Sequence, residues 1–297
     1  MRYTLNLSFL EPENYLPAAR AAEEAGYDSI GISDSVFFPR DTSSKYPYNE
    51  DGSRGHFEDK PFLDAFSVIP AMGAVTERIA FVPCVLKLPI RNPVITAKLA
   101  SSVAVLTGNR FKLGVGTSPW PEDYEVCGIP WEGRGRRLDE AIEIIRGLTR
   151  GGYFEFRGEA YEFPAVKMAP VPSKPIPVLV GGRARPALRR AAAVGDGWIA
   201  PATGIDRPQL KDLVSFIGEE RRRHGRADVP FEVHASFDVL PATTRSDAVD
   251  QLGELEALGV TDVRVALRMR PYEPVAETQL RQLVDDAGRF ASWVGRG

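Results

Sequence analysis

The chain has 297 residues, 43% of them hydrophobic and 26% charged, which is enough to bury a sizeable core and unlike the compositions of disordered or fibrous proteins. Thirty-seven basic against 40 acidic residues give a formal charge of −3 and an isoelectric point near 5.8, so nothing draws the chain electrostatically to nucleic acid or an anionic membrane. The two cysteines, Cys84 and Cys127, form no CxxC and have no second pair, which argues against a disulfide framework or a thiolate zinc site and fits a reducing cytoplasm.

The first residues, Met1 to Leu7, alternate apolar and polar like a strand and lack the charged start, apolar run and small-residue cleavage site of a signal peptide. No run of about 18 apolar residues occurs, so no membrane-spanning helix is expected. Strand-like runs fall at residues 3–9, 29–33, 79–86, 111–115, 178–180, 197–200, 231–239 and 262–266, each followed by a loop and a helical pattern. Eight such units in a chain of this length predict a (β/α)8 TIM-type barrel, an α/β fold built as one domain over residues 1–297.

Several helix ends are written in the chemistry. Residues 13–25 end at Gly26. Asn92 and Pro93 read as a cap and a first-turn proline, followed by Ile95, Leu99, Val103 and Leu106 as one buried stripe that Gly108 closes. In residues 136–148, Leu138, Ile142, Ile145 and Leu148 recur at helical spacing. Two insertions exceed ordinary barrel loops: residues 34–61 after the second strand and 151–177 before the fifth. The first carries Tyr46, Tyr48, His56 and Phe57, candidates for a substrate loop. The second alternates Tyr153, Phe154 and Phe156 with Tyr161 and Phe163 around Gly158, the pattern of a small hairpin.

A barrel of this kind places its site at the C-terminal ends of the strands. That rule selects Asp34 and Ser35, Cys84 and Val85, Gly116, Thr117, Ser118 and Trp120, and Gly181, Gly182 and Arg183. A strand ending in Gly181 and Gly182 with a helix opening just beyond brings backbone N–H groups and a positive helix end to one place, which suits a phosphate, although paired glycines also serve simply as a tight turn. Asp34 suits acid–base or ring-nitrogen contact, or else an ordinary cap. Cys84 is site-lining only. Three histidines without HxH or HExxH spacing give no support to a metal site, and neither a GxSxG elbow nor a P-loop is present.

Taken together, the stretches Glu24-Ala25-Gly26-Tyr27-Asp28-Ser29-Ile30, Ser33-Asp34, Thr76-Glu77-Arg78-Ile79, Leu88-Pro89-Ile90-Arg91-Asn92-Pro93, residues 106–116, Arg137-Leu138-Asp139-Glu140, residues 177–182 and Gly195-Asp196-Gly197-Trp198 resemble the luciferase-like flavin and deazaflavin oxidoreductases, nearest the branch that uses coenzyme F420. The resemblance implies hydride transfer, a cis peptide near Cys84-Val85 against the back of the cofactor ring, a phosphate held by Gly181, Gly182 and Arg183, and Thr117 and Ser118 near the ribityl chain. Two departures stand out. Ser35 occupies the place where many deazaflavin-using relatives carry a histidine, and it cannot relay a proton at neutral pH. The segment Thr117-Ser118-Pro119-Trp120 also lacks the glutamate of a sugar-phosphate dehydrogenase in the family, so that reaction is not carried over.

The resulting expectation is an F420-dependent oxidoreductase in which Asp34, Ser35 and Trp120 line the reaction and Arg183, Arg185 and Arg189 offer a basic path for an acidic cofactor tail. An FMN-dependent monooxygenase served by a separate flavin reductase is the alternative, and a non-catalytic flavin-binding relative a further one. The substrate is expected to be a small molecule, and the chain is expected to form a homodimer.

Overall fold

The computed structural model describes residues 1–42, 45, 52, 58–267 and 276–296, with the side chains of 276 and 277 left aside. Tyr46, Tyr48, His56 and Phe57, assigned above to a substrate loop, lie outside the described residues. In chain order, β1 (Arg2–Leu7) leads to α1 (Tyr15–Glu24), and β2 (Ser29–Ile32) to α2 (Ala65–Gly73). Next, β3 (Ala80–Pro83) and β4 (Leu86–Lys87) lead to α3 (Pro93–Leu106), and β5 (Leu113–Gly116) to α4 (Pro121–Val126) and α5 (Arg134–Thr149). A hairpin of β6 (Tyr153–Arg157) and β7 (Glu162–Lys167) follows. The chain then runs through β8 (Val178–Gly181), α6 (Arg185–Val194), β9 (Gly197–Ile199), α7 (Arg207–Arg223), β10 (Glu232–Val239), α8 (Arg245–Ala257), β11 (Asp262–Leu267) and α9 (Ala276–Trp293).

Nine parallel strands curl into a nearly closed barrel in the order β3-β2-β1-β11-β10-β9-β8-β5-β4. β3 and β4 are two halves of one stave, the first paired with β2 and the second with β5, so the ring has the expected eight staves. A bridge between Phe81 and Phe111 draws the remaining seam together. The stave breaks at a cis peptide between Cys84 and Val85, where the resemblance put one. Strand limits otherwise fall within about two residues of those read from the sequence. No helix among the described residues is long and apolar enough to cross a membrane.

The helices form because their ends are satisfied and one face of each is buried. Asn92 accepts the N–H groups of Val94 and Ile95, Asp64 that of Phe66, and Asp206 that of Gln209, while Thr244 and Asp247 make a reciprocal capping box. The hairpin packs Phe154, Phe156 and Phe163 together, and its tip is tied to α5 by Glu140, whose carboxylate accepts from the N–H groups of Glu159, Ala160 and Tyr161.

One reading from periodicity is overturned. Of the predicted stripe on α3, only Val103 is buried; Ile95, Leu99 and Leu106 are 60%, 40% and 70% exposed. The helix instead presents Thr96, Ala97, Ala100, Ser101 and Ala104 inward. Small side chains let it approach the barrel and α5 closely, and closeness won over bulk.

The floor of the barrel is a charged plug. Arg2 donates to both oxygens of Asp262 at 2.8 and 2.7 Å, Lys112 to both oxygens of Glu232 at 2.6 and 2.7 Å, and His234 Nε2 lies 2.8 Å from Glu232. Glu232, His234 and Asp262 stand close enough to hold a cation together, but Arg2 and Lys112 already supply the positive charge. Burial pushes the Glu232 carboxyl up, yet His234 and Lys112 outweigh it and bring it down to about 2. That depression stabilises the fold above the ordinary carboxylate value, and the contribution is lost as pH falls toward 2. Lys112→Met is therefore expected to cost about 2–3 kcal/mol at neutral pH, and urea titrations of the two proteins below pH 4.5 should converge as the pH drops; parallel curves would contradict this assignment.

Candidate active site

At the C-terminal ends of the strands, the first group to consider is Asp34, which follows β2. Its side chain is 2% exposed, and both oxygens are occupied: Oδ2 accepts from the backbone N–H of Lys87 at 2.9 Å and Oδ1 from Arg91 Nη2 at 2.8 Å. Arg91 also reaches Asp64, the cap of α2, at 3.3 Å. Burial pushes the Asp34 carboxyl up, while Arg91 and the Lys87 N–H pull against it. Asp34 thus ties the end of β2 to the turn after β4. Ser35 beside it donates its hydroxyl to the carbonyl of Phe37 at 3.4 Å.

Opposite this clamp stands a group that the sequence reading passed over. The Lys87 side chain is 9% exposed, and its ammonium lies 2.7 Å from Asp123 Oδ2 in α4 and 4.4 Å from the ring centre of Trp120. Asp123 itself is fully buried. Nζ itself is closed off from solvent, so the buried carboxylate of Asp123 and the Trp120 face together enclose the charge. Ser118 donates its hydroxyl to Asp123 and accepts the N–H of Trp120 at 3.0 Å, which commits it to α4 where the sequence assigned it to a cofactor chain. Thr117 remains exposed at the rim. Thr42, at the start of the long insertion, donates to Glu122 at 2.9 Å, so that insertion begins against α4.

Cys84 and Val85 line the interior with Val82, Leu179 and Ile199 and keep part of their surface exposed. The glycines around them are set by close packing. A Cβ on Gly116 would sit 2.8 Å from Val85 Cγ2, and one on Gly181 2.8 Å from Val85 Cγ1, so both glycines make room for Val85. Below, Arg264 is buried, donates to the carbonyl of Ala200 and to Ser236 Oγ, and stands beside Cys84. Burial pushes the Cys84 thiol up, with Arg264 pulling the other way.

On the β8 side, Gly182 takes φ +117°, a conformation that disfavours side chains, and the next helix, α6, opens without a side-chain cap. Pro186 brings no N–H to the first turn and Ala187 donates to the Ala184 carbonyl at 2.9 Å, so what this corner offers an anion is the positive end of the helix with Arg183 exposed beside it. Arg183 Nη1 donates to the Gly204 carbonyl at 2.8 Å, while Arg185 and Arg189 both stack toward Phe216 at 4.0 and 6.0 Å. The mouth therefore combines an apolar seat at Val85, an anion-suited corner at Gly182 and the turn at Lys87, whose backbone N–H is held by Asp34 and whose side chain is buried against Asp123. Lys87 was signalled by a lysine set inside the apolar run 81–90. Nothing in the sequence around Asp123 marks it as the partner of Lys87.

A family model described as luciferase-like monooxygenase matches residues 10–295. A protein of Mycobacterium tuberculosis described as uncharacterized is 48% identical over 290 residues, covering 95% of this chain and 96% of that one. The F420-dependent glucose-6-phosphate dehydrogenase of Nakamurella multipartita is 30% identical over 291 residues, covering 93% of this chain and 80% of its own length. Among solved structures, an EDTA monooxygenase from a Chelativorans species aligns with a TM-score of 0.78 at 14% identity, over 100% of this chain and 94% of the other, which bears out the barrel fold.

The Asp34 clamp makes a pH-dependent prediction. Removing Arg91 takes away the largest influence opposing burial and raises the Asp34 carboxyl further, so the variant is penalised wherever Asp34 is ionised. Arg91→Ala should lose about 3 kcal/mol near pH 8 and less as pH falls, and chemical denaturation across that range measures it. An equal loss at every pH would remove Asp34 as its partner.

Proposed function

The chain belongs to the luciferase-like monooxygenase family, and on that premise we propose that it is an F420-dependent oxidoreductase, moving hydride between the deazaflavin and a small organic substrate at the C-terminal mouth of the barrel. The observation that carries the reading is the pairing, at one end of the barrel, of the part-exposed seat at Cys84 and Val85 with the uncapped start of α6 behind Gly182. A planar ring with a phosphate tail matches both. The near full-length likeness to an F420-dependent dehydrogenase supports the deazaflavin over FMN.

In this reading Gly181, Gly182 and Arg183 bind the phosphate, Thr117 contacts the chain between phosphate and ring, and Cys84 and Val85 support the back of the ring. The bound cofactor supplies the hydride acceptor or donor, and the protein supplies position and charge. Asp34 acts through the Lys87 backbone, holding the turn that forms one wall; Trp120 forms the other. Tyr46, Tyr48, His56 and Phe57 belong to the substrate loop. Glucose 6-phosphate is not carried over as substrate, because Thr117-Ser118-Pro119-Trp120 offers no carboxylate there.

The exposed apolar face of α3, formed by Ile95, Leu99 and Leu106, is the surface on which we place a homodimer. A double change, Leu99→Glu with Leu106→Glu, should give a folded monomer by analytical ultracentrifugation; an unchanged sedimentation coefficient would move the interface elsewhere.

Parallel fluorescence titrations with F420 and FMN test the cofactor. F420 should bind tightly and FMN weakly, and Arg183→Ala should weaken binding roughly tenfold or more, in line with a hydrogen bond to a charged group. A clear preference for FMN would turn the assignment to a monooxygenase supplied with reduced flavin by a separate reductase. Tight binding without turnover of any substrate would favour a flavin-binding protein without catalysis.

A further inference from the structure

The stretch Gly195-Asp196-Gly197-Trp198 leads into β9 and lies outside the mouth, yet its last residue reaches the corner at Gly182. Trp198 is fully buried, in the same cluster as Leu188, Ala191 and Ala192 of α6, and a buried indole still needs a partner for its N–H. Nε1 donates to the carbonyl of Gly182 at 2.7 Å. The N–H of the same glycine donates to the carbonyl of Ile199 at 3.3 Å, and Arg183 Nη1 to the carbonyl of Gly204 at 2.8 Å. Residues 182 and 183 are thus held at three points by β9 and the loop that follows it.

These bonds fix an orientation. The peptide between Gly182 and Arg183 is trans, so its carbonyl and its N–H point to opposite sides. With the Gly182 carbonyl turned onto Trp198, the Arg183 N–H is turned the other way, out of the packed layer and toward the rim where residues 183–186 are exposed. The reversed plane would put a carbonyl oxygen at that rim and repel an anion. Gly182, at φ +117° and without a side chain, leaves such a reversal sterically open, so the hydrogen bond from Trp198 is what selects the plane that suits an anion.

We propose that Trp198 is a positioning residue for the cofactor phosphate: its indole N–H sets the plane of the 182–183 peptide and thereby the chain's preference for phosphate-bearing over phosphate-free forms of the cofactor. The proposal rests on the reading of the Gly182 corner above and adds to it a residue in the barrel wall that never meets the ligand. The phosphate meets the start of α6 and Arg183, and Trp198 acts through Gly182. An indole suits the task. Strand register sets Trp198 opposite Val180, two residues short of Gly182, an offset of about 6.6 Å along the strands that a long, rigid side chain with its donor at the far edge can span. The Arg183 side chain is anchored on Gly204, beyond the same stave, so β9 and its loop align the backbone and the side-chain contributions to one anion.

The test is calorimetric titration of the full chain with two matched pairs: F420 and the phosphate-free deazaflavin with the same ring, and FMN and riboflavin, which differ in the phosphate alone. Wild type is compared with Trp198→Phe and with protein in which 3-benzothienylalanine replaces Trp198, an isostere that carries sulfur in place of the N–H. Phe290→Leu, a change to a fully buried ring in α9, is the control for lost packing. Wild type should favour the phosphate-bearing member. Both replacements of Trp198 should lower that preference roughly tenfold, the worth of one hydrogen bond to a charged group, and leave the affinity for the phosphate-free member unchanged. Phe290→Leu should lose thermal stability and keep the preference. An unchanged preference in the benzothienyl protein would overturn the proposal. So would an equal loss of both members of a pair, the mark of a merely structural role, or the same fall in Phe290→Leu. If wild type binds neither pair, or binds the two members of each equally, the reading of the corner fails at the first titration and takes this inference with it. If wild type shows the preference and the Trp198 replacements retain it, only the inference fails.

Discussion

A single buried carboxylate organises the mouth of this barrel. Asp34 is almost fully withdrawn from water and would be intolerable there without partners, and the two it has come from the end of β4 and the turn just beyond it: the backbone N–H of Lys87 and the guanidinium of Arg91. Because Arg91 also reaches the cap of α2, the interaction joins the end of one stave, the turn after its neighbour and the start of a helix. The position of the Lys87 backbone follows from this, and with it the placement of the ammonium against Asp123 and Trp120. A charge that costs energy to bury is in this way converted into positional accuracy.

The broken stave supplies the second constraint. Splitting β3 from β4 at Cys84 and Val85 turns Val85 into the interior, and it fits only because the facing positions of β5 and β8 are Gly116 and Gly181. Three sequence-distant segments are therefore chosen as one packing unit. The same displacement carries Lys87 to the mouth in register with Gly116. The apolar seat and the buried Lys87–Asp123 pair have a common origin in this one irregularity of the strand.

Much of this was legible from local chemistry. Asn92 with Pro93, Gly26 after α1, and the alternation of strand and helix are signals whose meaning depends on neighbours a few residues away, and the structure agrees with them. The pair Gly181-Gly182 was readable as a strand end opening onto a helix for the same reason. What escaped were features set by register between distant strands. Nothing near His234 in sequence tells it to stand beside Asp262, and nothing near Lys87 announces Asp123. The face of α3 was misread because apolar periodicity reports which side is greasy, while the barrel selected the side made of alanine, serine and threonine. Ser118 was likewise read as a ligand-facing hydroxyl when its local duty is to start α4.

The charged plug of Arg2, Lys112, Glu232, His234 and Asp262 has a kinetic meaning as well as a structural one. With Val82, Leu179 and Ile199 packed inside the barrel, it closes the end away from the mouth among the described residues. Everything that enters must leave by the way it came. Of two molecules stacked in such a vessel, the deeper has to arrive first and depart last, so the order of binding is imposed by the shape of the container before any affinity is considered.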